Sequence, residues 1–249
     1  MTERKDHDAH HRRRHPSQRH RLLPVPLIAM AEQVEVILPC LNEAAALPAV
    51  VRSVAETVGS PVLVVDNGST DGSPEIAEEL GARVVRESAR GYGAAVHTGL
   101  LHARAEIVCV LDADGSVDPG GLSPLIEQLR AGTGDLVVGR RVPTERAAMP
   151  WHARAGNAVL ASMLRRRGIP VRDLAPVRVG WRDELLRLDV RDRSFGYPLE
   201  LLLRAGRSDW RIREMPVRYQ PRTAGTESKV TGSVLGTVRA VRDMIGVLR

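Results

Sequence analysis

Long apolar runs are missing from this sequence. Nothing in it approaches the roughly 18 consecutive apolar residues of a membrane-spanning helix, so no bilayer-spanning segment is expected. Cysteine is nearly missing too. Cys40 and Cys109 are the two cysteines, and both lie in or beside apolar strands, which speaks against a disulfide framework and for a reducing compartment, the cytoplasm. No N-terminal stretch combines a long apolar core with a cleavage pattern, so no secretory signal is expected. No internal repeat stands out.

What is present fits one large domain or two small ones. A chain of 249 residues is long enough to bury roughly 70–75% of its unfolded surface. The net charge of +6 resembles a nucleic-acid signature until its location is considered. Residues 1–29 hold seven Lys or Arg against three Asp or Glu, a net of +4, leaving +2 for the other 220. The excess belongs to a tail, and no nucleic-acid partner is expected. Residues 1–30 form that tail, with His10-His11-Arg12-Arg13-Arg14-His15 and almost no apolar residue before Leu22; it cannot bury enough surface to order itself. Met30 is an alternative start.

Val34-Glu35-Val36-Ile37-Leu38 reads as a first strand, followed by a helix over Ala44–Val58. Val62–Val65 is a second strand and Asp66-Asn67-Gly68-Ser69-Thr70-Asp71-Gly72 its loop, with a helix to Leu80. Ala82–Val85 is a third, after which Gly91-Tyr92-Gly93 opens a helix over Ala94–Ala103. Such alternation predicts a parallel, right-handed βαβ sheet. Ile107-Val108-Cys109-Val110-Leu111 is a fourth strand, apolar throughout as a strand buried on both faces is. A helix over Gly121–Ala131 leads to a fifth, Asp135–Gly139. Beyond Pro143 the pattern predicts a helix over Trp151–Arg167, an irregular Gly168–Trp181, a short helix over Tyr197–Ala205, an edge strand over Trp210–Tyr219 and a last helix over Val230–Leu248. That last helix is amphipathic, and two readings stay open for it: packing against the body or lying on a membrane surface.

The fourth strand runs directly into Asp112-Ala113-Asp114. Open α/β sheets bind ligands beyond the carboxyl ends of their strands, and two carboxylates this close can share a divalent cation. A parallel sheet would bring Glu43, Asp66, Asp71, Asp112, Asp114, Arg140 and Arg141 to that edge from four strand ends. Isolated acids there would be turn or helix caps; their repetition points to a site.

Pro39-x-Leu41-Asn42-Glu43, the loop Val65–Gly72 and Asp112-Ala113-Asp114, in this order, resemble family 2 glycosyltransferases, and more narrowly the dolichol- and polyprenol-phosphate mannose synthases and their glucosyl relatives. The likeness covers roughly residues 34–229. It implies a GT-A (Rossmann-like, nucleotide-diphospho-sugar transferase) α/β fold over residues 31–229, with a mostly parallel central sheet flanked by helices, and residues 230–249 as a C-terminal amphipathic helix.

The resemblance implies that Pro39, Leu41 and Glu43 cradle the nucleoside of a nucleotide sugar of the GDP-mannose or UDP-glucose type, with Asp66 accepting from the base. Gly91 would allow close approach to the donor, beside Ala113. Asp112 and Asp114 would hold Mg²⁺ or Mn²⁺. The synthases often carry Gln where this chain has Ser116, so water is expected in place of a third protein ligand. Arg141, Arg154, Arg222 and Lys229 match basic positions that bear on a phosphate acceptor.

Two reactions follow from these residues. A hydroxyl acceptor requires a carboxylate base, for which Asp173 and Glu200 are the candidates. A polyprenyl phosphate is already ionised and needs cationic clamps such as Arg141 and Arg154. The basic cluster favours the second: metal-dependent, inverting transfer of a hexose, mannose or glucose, to a lipid phosphate at the inner face of the membrane, with a membrane protein as a conceivable recruiting partner. A sugar nucleotidyltransferase would need a Gly-rich loop after the first strand, which is lacking; a nucleotide-sugar-binding module without turnover is the remaining rival.

Overall fold

In the computed structural model, residues 33–145 and 148–223 are described. By its contacts the chain divides into Met1–Ala31 and Glu32–Arg249, and all described residues lie in the second unit. The basic tail, Lys229 and the last helix expected from the sequence fall outside the described residues.

Seven strands and seven helices are described. The first half alternates strictly: β1 (Val34–Cys40), α1 (Leu47–Thr57), β2 (Val62–Asp66), α2 (Ser73–Glu79), β3 (Arg83–Arg86), α3 (Tyr92–His102) and β4 (Ile107–Val110). Then come a short 3-10 turn, α4 (Leu122–Arg130), β5 (Leu136–Pro143), α5 (Trp151–Arg165), β6 (Val177–Trp181), α6 (Arg182–Arg187), α7 (Tyr197–Arg207) and β7 (Ile212–Tyr219). One sheet contains all the strands, in the order β3-β2-β1-β4-β6-β5-β7.

The aliphatic runs that predicted strands are buried because helices cover both faces of the sheet. Successive side chains of a strand point to opposite faces, and the two cores divide accordingly. Val36, Leu38, Ile107 and Cys109 pack on one side with α1 and α4. Ile37, Val108 and Val110 pack on the other with α3, α5 and α7. The centre of the sheet therefore needs apolar residues at every position, which is why the sequence shows runs rather than alternation.

One strand was not legible. Residues 168–181, expected to be irregular, contain β6, which lies between β4 and β5 and runs antiparallel to both. Val177-Arg178-Val179-Gly180-Trp181 is short and interrupted by an Arg and a Gly; it becomes a strand because two neighbours supply its hydrogen bonds. The other strands pair in parallel. The reversed direction brings the start of β6 to the edge where its neighbours end, with Arg178 level with Val110 and Val138. Beyond β6, β5 and β7 continue as a ribbon that pairs Arg141 with Val217 and Pro143 with Tyr219, with a single antiparallel bridge from Val117 to Tyr219.

Helix α3 sits close on β1 because Gly99 has no side chain: a Cβ there would collide with Ile37 Cγ2 and stand 3.3 Å from Val65 Cγ2. Overpacking of this kind typically costs about 1–3 kcal/mol. Gly99→Val is expected to lower the unfolding free energy by that amount, moving the urea midpoint down in proportion, and to tilt the helix that carries Tyr92. An unchanged unfolding curve would show that the contact is looser than this.

Candidate active site

The carboxyl edge of the sheet opens into a cavity of about 520 Å³. Its polar end is formed by Pro39 near the end of β1 and Leu41 and Glu43 after it, by Asp112, Ala113 and Asp114 after β4, and by Arg178 at the start of β6. Its other wall is apolar, with Met149, Ala153, Leu160, Leu174, Phe195 and Pro198.

The loops after β1 and β2 brace one another, which accounts for much of their sequence. Asn42, in the left-handed region at φ 56°, accepts through Oδ1 from the Thr70 amide at 2.8 Å and donates its own amide to Ser69 Oγ at 2.9 Å. The Glu43 amide donates to Ser73 Oγ at 2.9 Å and the Ala44 amide to Asp71 Oδ2 at 3.0 Å. Asp66 accepts from the amides of Ser69 at 3.0 Å and Gly68 at 3.3 Å. Its carboxylate thus closes its own turn, the ordinary role of an Asp that starts a loop, and it does not line the cavity. Asn67 joins this unit to the next loop, accepting from the Gly91 amide at 2.7 Å. Gly91 lines the cavity with φ 146°, and a Cβ there would run into the carbonyl of Arg193. The glycine therefore serves a close approach to the 193–194 backbone.

Asp112 and Asp114 meet at the cavity. Asp114 is buried, accepting from the Ser116 amide at 2.9 Å through Oδ1 and pairing with Arg222 Nη2 at 3.0 Å through Oδ2. Residues 220–223 run along this turn: the amides of Gln220 and Thr223 donate to the carbonyls of Ser116 and Asp114 at 2.8 and 3.2 Å. Asp112 accepts from the Tyr92 hydroxyl at 3.2 Å, and that hydroxyl accepts from Arg178 Nη1 at 3.2 Å. Arg178 is held in turn by the carbonyls of Leu174 at 3.0 Å and Ala175. Burial first, and then the charge of Asp114, push the Asp112 carboxyl up to about 6, while Arg178 and Arg222 pull the other way. Burial likewise pushes the Tyr92 hydroxyl up, so it stays a neutral donor to Asp112. Two like charges are thus crowded into a partly dry pocket with cations on either side.

The remaining expected residues divide. Arg141 lines the cavity, and three of its donor groups meet Asp173: Nε stands 2.9 Å from Oδ2, Nη2 2.5 Å from Oδ1, and its amide donates at 2.7 Å. Although burial opposes charge on both, the pairing holds the Asp173 carboxyl below its usual range and the Arg141 guanidinium above. Glu200 also resists burial, held low by the amides of Asp192 and Arg191 and by Arg204 at 2.6 Å. Neither carboxylate lines the cavity, and Arg154 is exposed on α5 outside it. Arg222 lines it; Lys229 lies outside the described residues. Among the described residues, no group of three or more His, Cys, Asp or Glu gathers to hold a metal, so a cation would take two carboxylates from the protein.

Sequence reasoning overlooked Tyr92 and Arg178. The available signal was an Arg in an otherwise apolar pentapeptide, and a Tyr between two glycines that admit no larger side chain.

The glycosyl transferase family 2 model matches residues 35–179, a span holding the braced loops, the Asp pair and Arg178. The chain belongs to this family. An uncharacterized glycosyltransferase of Mycobacterium tuberculosis is 49% identical over 218 residues, covering 87% of this chain and 98% of the relative. The undecaprenyl-phosphate mannosyltransferase of Micrococcus luteus is 32% identical over 227 residues, covering 82% and 90%. Among solved structures, glucosyl-3-phosphoglycerate synthase from M. tuberculosis, in complex with Mn²⁺, uridine diphosphate and glucosyl-3-phosphoglycerate, superposes with a TM-score of 0.68 at 24% identity, over 88% of this chain and 79% of that one. That likeness establishes the fold, which is the GT-A architecture expected from the sequence. The chain is accordingly a glycosyltransferase, and its Asp112-Ala113-Asp114 turn lies in the cavity at the carboxyl edge of the sheet.

An acid whose folded-state value is raised stabilises the fold when protonated, and that contribution is lost as pH rises through about 6. Asp112→Asn should therefore make the metal-free glycosyltransferase more stable than wild type at pH 7.5, by about 1–3 kcal/mol. The difference should vanish below about pH 4, where Asp112 is protonated in both folded and unfolded chains. Denaturant melts across that range check it; a stability difference independent of pH would contradict the crowding of charge at this turn.

Proposed function

We propose that this glycosyltransferase moves a hexose from a nucleoside-diphosphate sugar to a polyprenyl phosphate, by direct attack at the anomeric carbon with inversion. The observation that carries the reading is the cavity's lining. Among the described residues, its carboxylates are Glu43, Asp112 and Asp114, all at the polar end, while the two candidate bases, Asp173 and Glu200, are locked in ion pairs away from it. An acceptor hydroxyl needs a base within hydrogen-bond reach. A phosphate arrives ionised and needs none. The apolar wall from Met149 to Pro198 suits the first isoprene units of such an acceptor, and the name of the Micrococcus relative supports the same class.

Pro39, Leu41 and Glu43 are assigned to the nucleoside, as the sequence resemblance implies, with Gly91 and Ala113 beside them. Asp112 and Asp114 fit a divalent cation: both are hard oxygen donors at one turn, and burial, then the neighbouring charge of Asp114, disfavours the ionised form of Asp112. When bound there, Mg²⁺ or Mn²⁺ would offset the negative charge that builds on the departing nucleoside diphosphate. Tyr92 orients Asp112 by its hydrogen bond, and Arg178 fixes Tyr92. Arg222 and Arg141 supply positive charge at the cavity; Arg222 stands on Asp114, and the Arg141 guanidinium lies 5.6 Å over the Tyr219 ring. Arg154, exposed at the next helix, is assigned to the incoming phosphate.

GDP-mannose and UDP-glucose, each offered with Mn²⁺ and a polyprenyl phosphate, should give nucleoside diphosphate release with one donor that depends on the acceptor. Asp114→Ala should be silent. Release that requires 3-phosphoglycerate instead, or that survives in Asp114→Ala with a chelator, would overturn the assignment. Glu200→Gln separates the acceptor classes: it should leave turnover within a few-fold, whereas removing a true general base costs about 10²–10⁴.

A further inference from the structure

Helix α5 has two faces with different surroundings. Ala153, Gly156, Asn157 and Leu160 line the cavity. The opposite face carries Trp151, 73% exposed, and Val159, 50% exposed, with Ala155 and Ala158 exposed between them at helical spacing. Large side chains this bare are few in the described chain. Trp151 and Val159 are two of the four exposed large hydrophobics, and they share one helix face.

Charge on this helix and the two residues after it is entirely of one sign. From Trp151 to Arg167 there is no Asp or Glu, while Arg154, Arg165, Arg166 and Arg167 are all exposed. None of the four enters an ion pair among the described residues, whereas Arg140, Arg141, Arg187 and Arg211 each do; Arg165 and Arg167 donate to the backbone carbonyls of Val171 and Met163, which carry no counter-charge. An exposed Trp at one end, small apolar residues along the middle and unpaired arginines at the other end form an amphipathic surface of the kind that lies in a lipid headgroup layer: the indole takes the apolar boundary and the guanidinium groups the phosphates.

We infer that the outer face of α5 is a docking surface for anionic lipid, which places the cavity on the helix's other face next to the bilayer. The occupant is chosen by charge complementarity: with Arg154 assigned to the acceptor phosphate, three uncompensated guanidinium groups, Arg165 to Arg167, at the far end of the helix from an exposed indole match a negatively charged apolar boundary. The inference deepens the lipid-phosphate reading and rests on it for its purpose, since a membrane-embedded acceptor could then reach the apolar wall around Leu160 without leaving the headgroup layer.

The test uses the full chain and two kinds of vesicle, one of phosphatidylcholine alone and one containing phosphatidylglycerol. The protein should float with the anionic vesicles and much less with the neutral ones. Brominated lipid should quench its tryptophan fluorescence, and that quenching should be lost in Trp151→Phe. Each basic residue near an anionic surface is worth roughly fivefold in partitioning, so Arg166→Gln with Arg167→Gln should weaken flotation about thirtyfold at low salt. These variants should turn over a short, water-soluble polyprenyl phosphate at the wild-type rate. Unchanged flotation in the double variant, or quenching that persists in Trp151→Phe, would overturn the surface while leaving the reaction standing. Vesicle binding through α5 without transfer to any polyprenyl phosphate would have the opposite meaning: the surface stands and the acceptor assignment falls.

Discussion

The site depends on keeping two carboxylates close together at the mouth of a buried strand. Asp112 and Asp114 follow β4, whose four residues are all inside the protein, so the acids cannot retreat into solvent without pulling the strand with them. Burial, and then the charge of Asp114, raise the proton affinity of Asp112, and the fold answers with cations from two directions. Arg178 reaches Asp112 through the Tyr92 hydroxyl, and Arg222 reaches Asp114 directly. Tyr92 comes from α3, Arg178 from β6 and Arg222 from the segment after β7. Three remote parts of the chain are thus tied to one turn. The balance is electrostatic rather than a matter of packing.

The reversal of β6 makes that arrangement possible. A strand parallel to its neighbours would put its first residues at the amino edge of the sheet, far from the aspartates. Running the other way, β6 delivers Arg178 level with Val110, two residues before Asp112. It also begins only at Val177, opposite Gly139, so the β5–β7 ribbon runs on past it with Arg141 and Tyr219 at the cavity. The buried Arg141–Asp173 pair then holds the base of that ribbon. Breaking such a pair on one side typically costs about 3–5 kcal/mol, because the survivor is left as a lone buried charge; Asp173 is therefore needed for the site's shape whether or not it meets substrate.

How much could be read from the residues alone follows from the range of the forces involved. The first five strands and their helices were legible because aliphatic runs and turn residues are local signals, and the Asp112 and Glu43 loops were legible because a repeated polar loop after a buried strand is rarely accidental. β6 was not, since Val177–Trp181 is a strand only by virtue of partners roughly 40 to 70 residues earlier in the chain. Asp66, Asp173 and Glu200 illustrate the limit on the polar side. Each is an acid near the expected edge, yet each carboxylate is turned into local amides or an arginine. Residue type and position placed them at the site; only hydrogen-bond geometry distinguishes a carboxylate that can meet a ligand from one that closes a turn.

The same distinction explains why Tyr92 and Arg178 matter more than their sequence context suggests. Gly91 and Gly93 flank Tyr92 because a Cβ at either position would strike the 192–194 backbone, and Gly99 lets the whole helix sit against Ile37. Gly93 and Gly99 inside the helix would ordinarily weaken it. Here they let the helix approach both the sheet and the 193–194 segment closely enough for the phenol to reach Asp112. The helix gives up intrinsic stability and gains a fixed donor at the one place where a buried negative charge needs it, so the glycines and the aspartates are parts of the same electrostatic device.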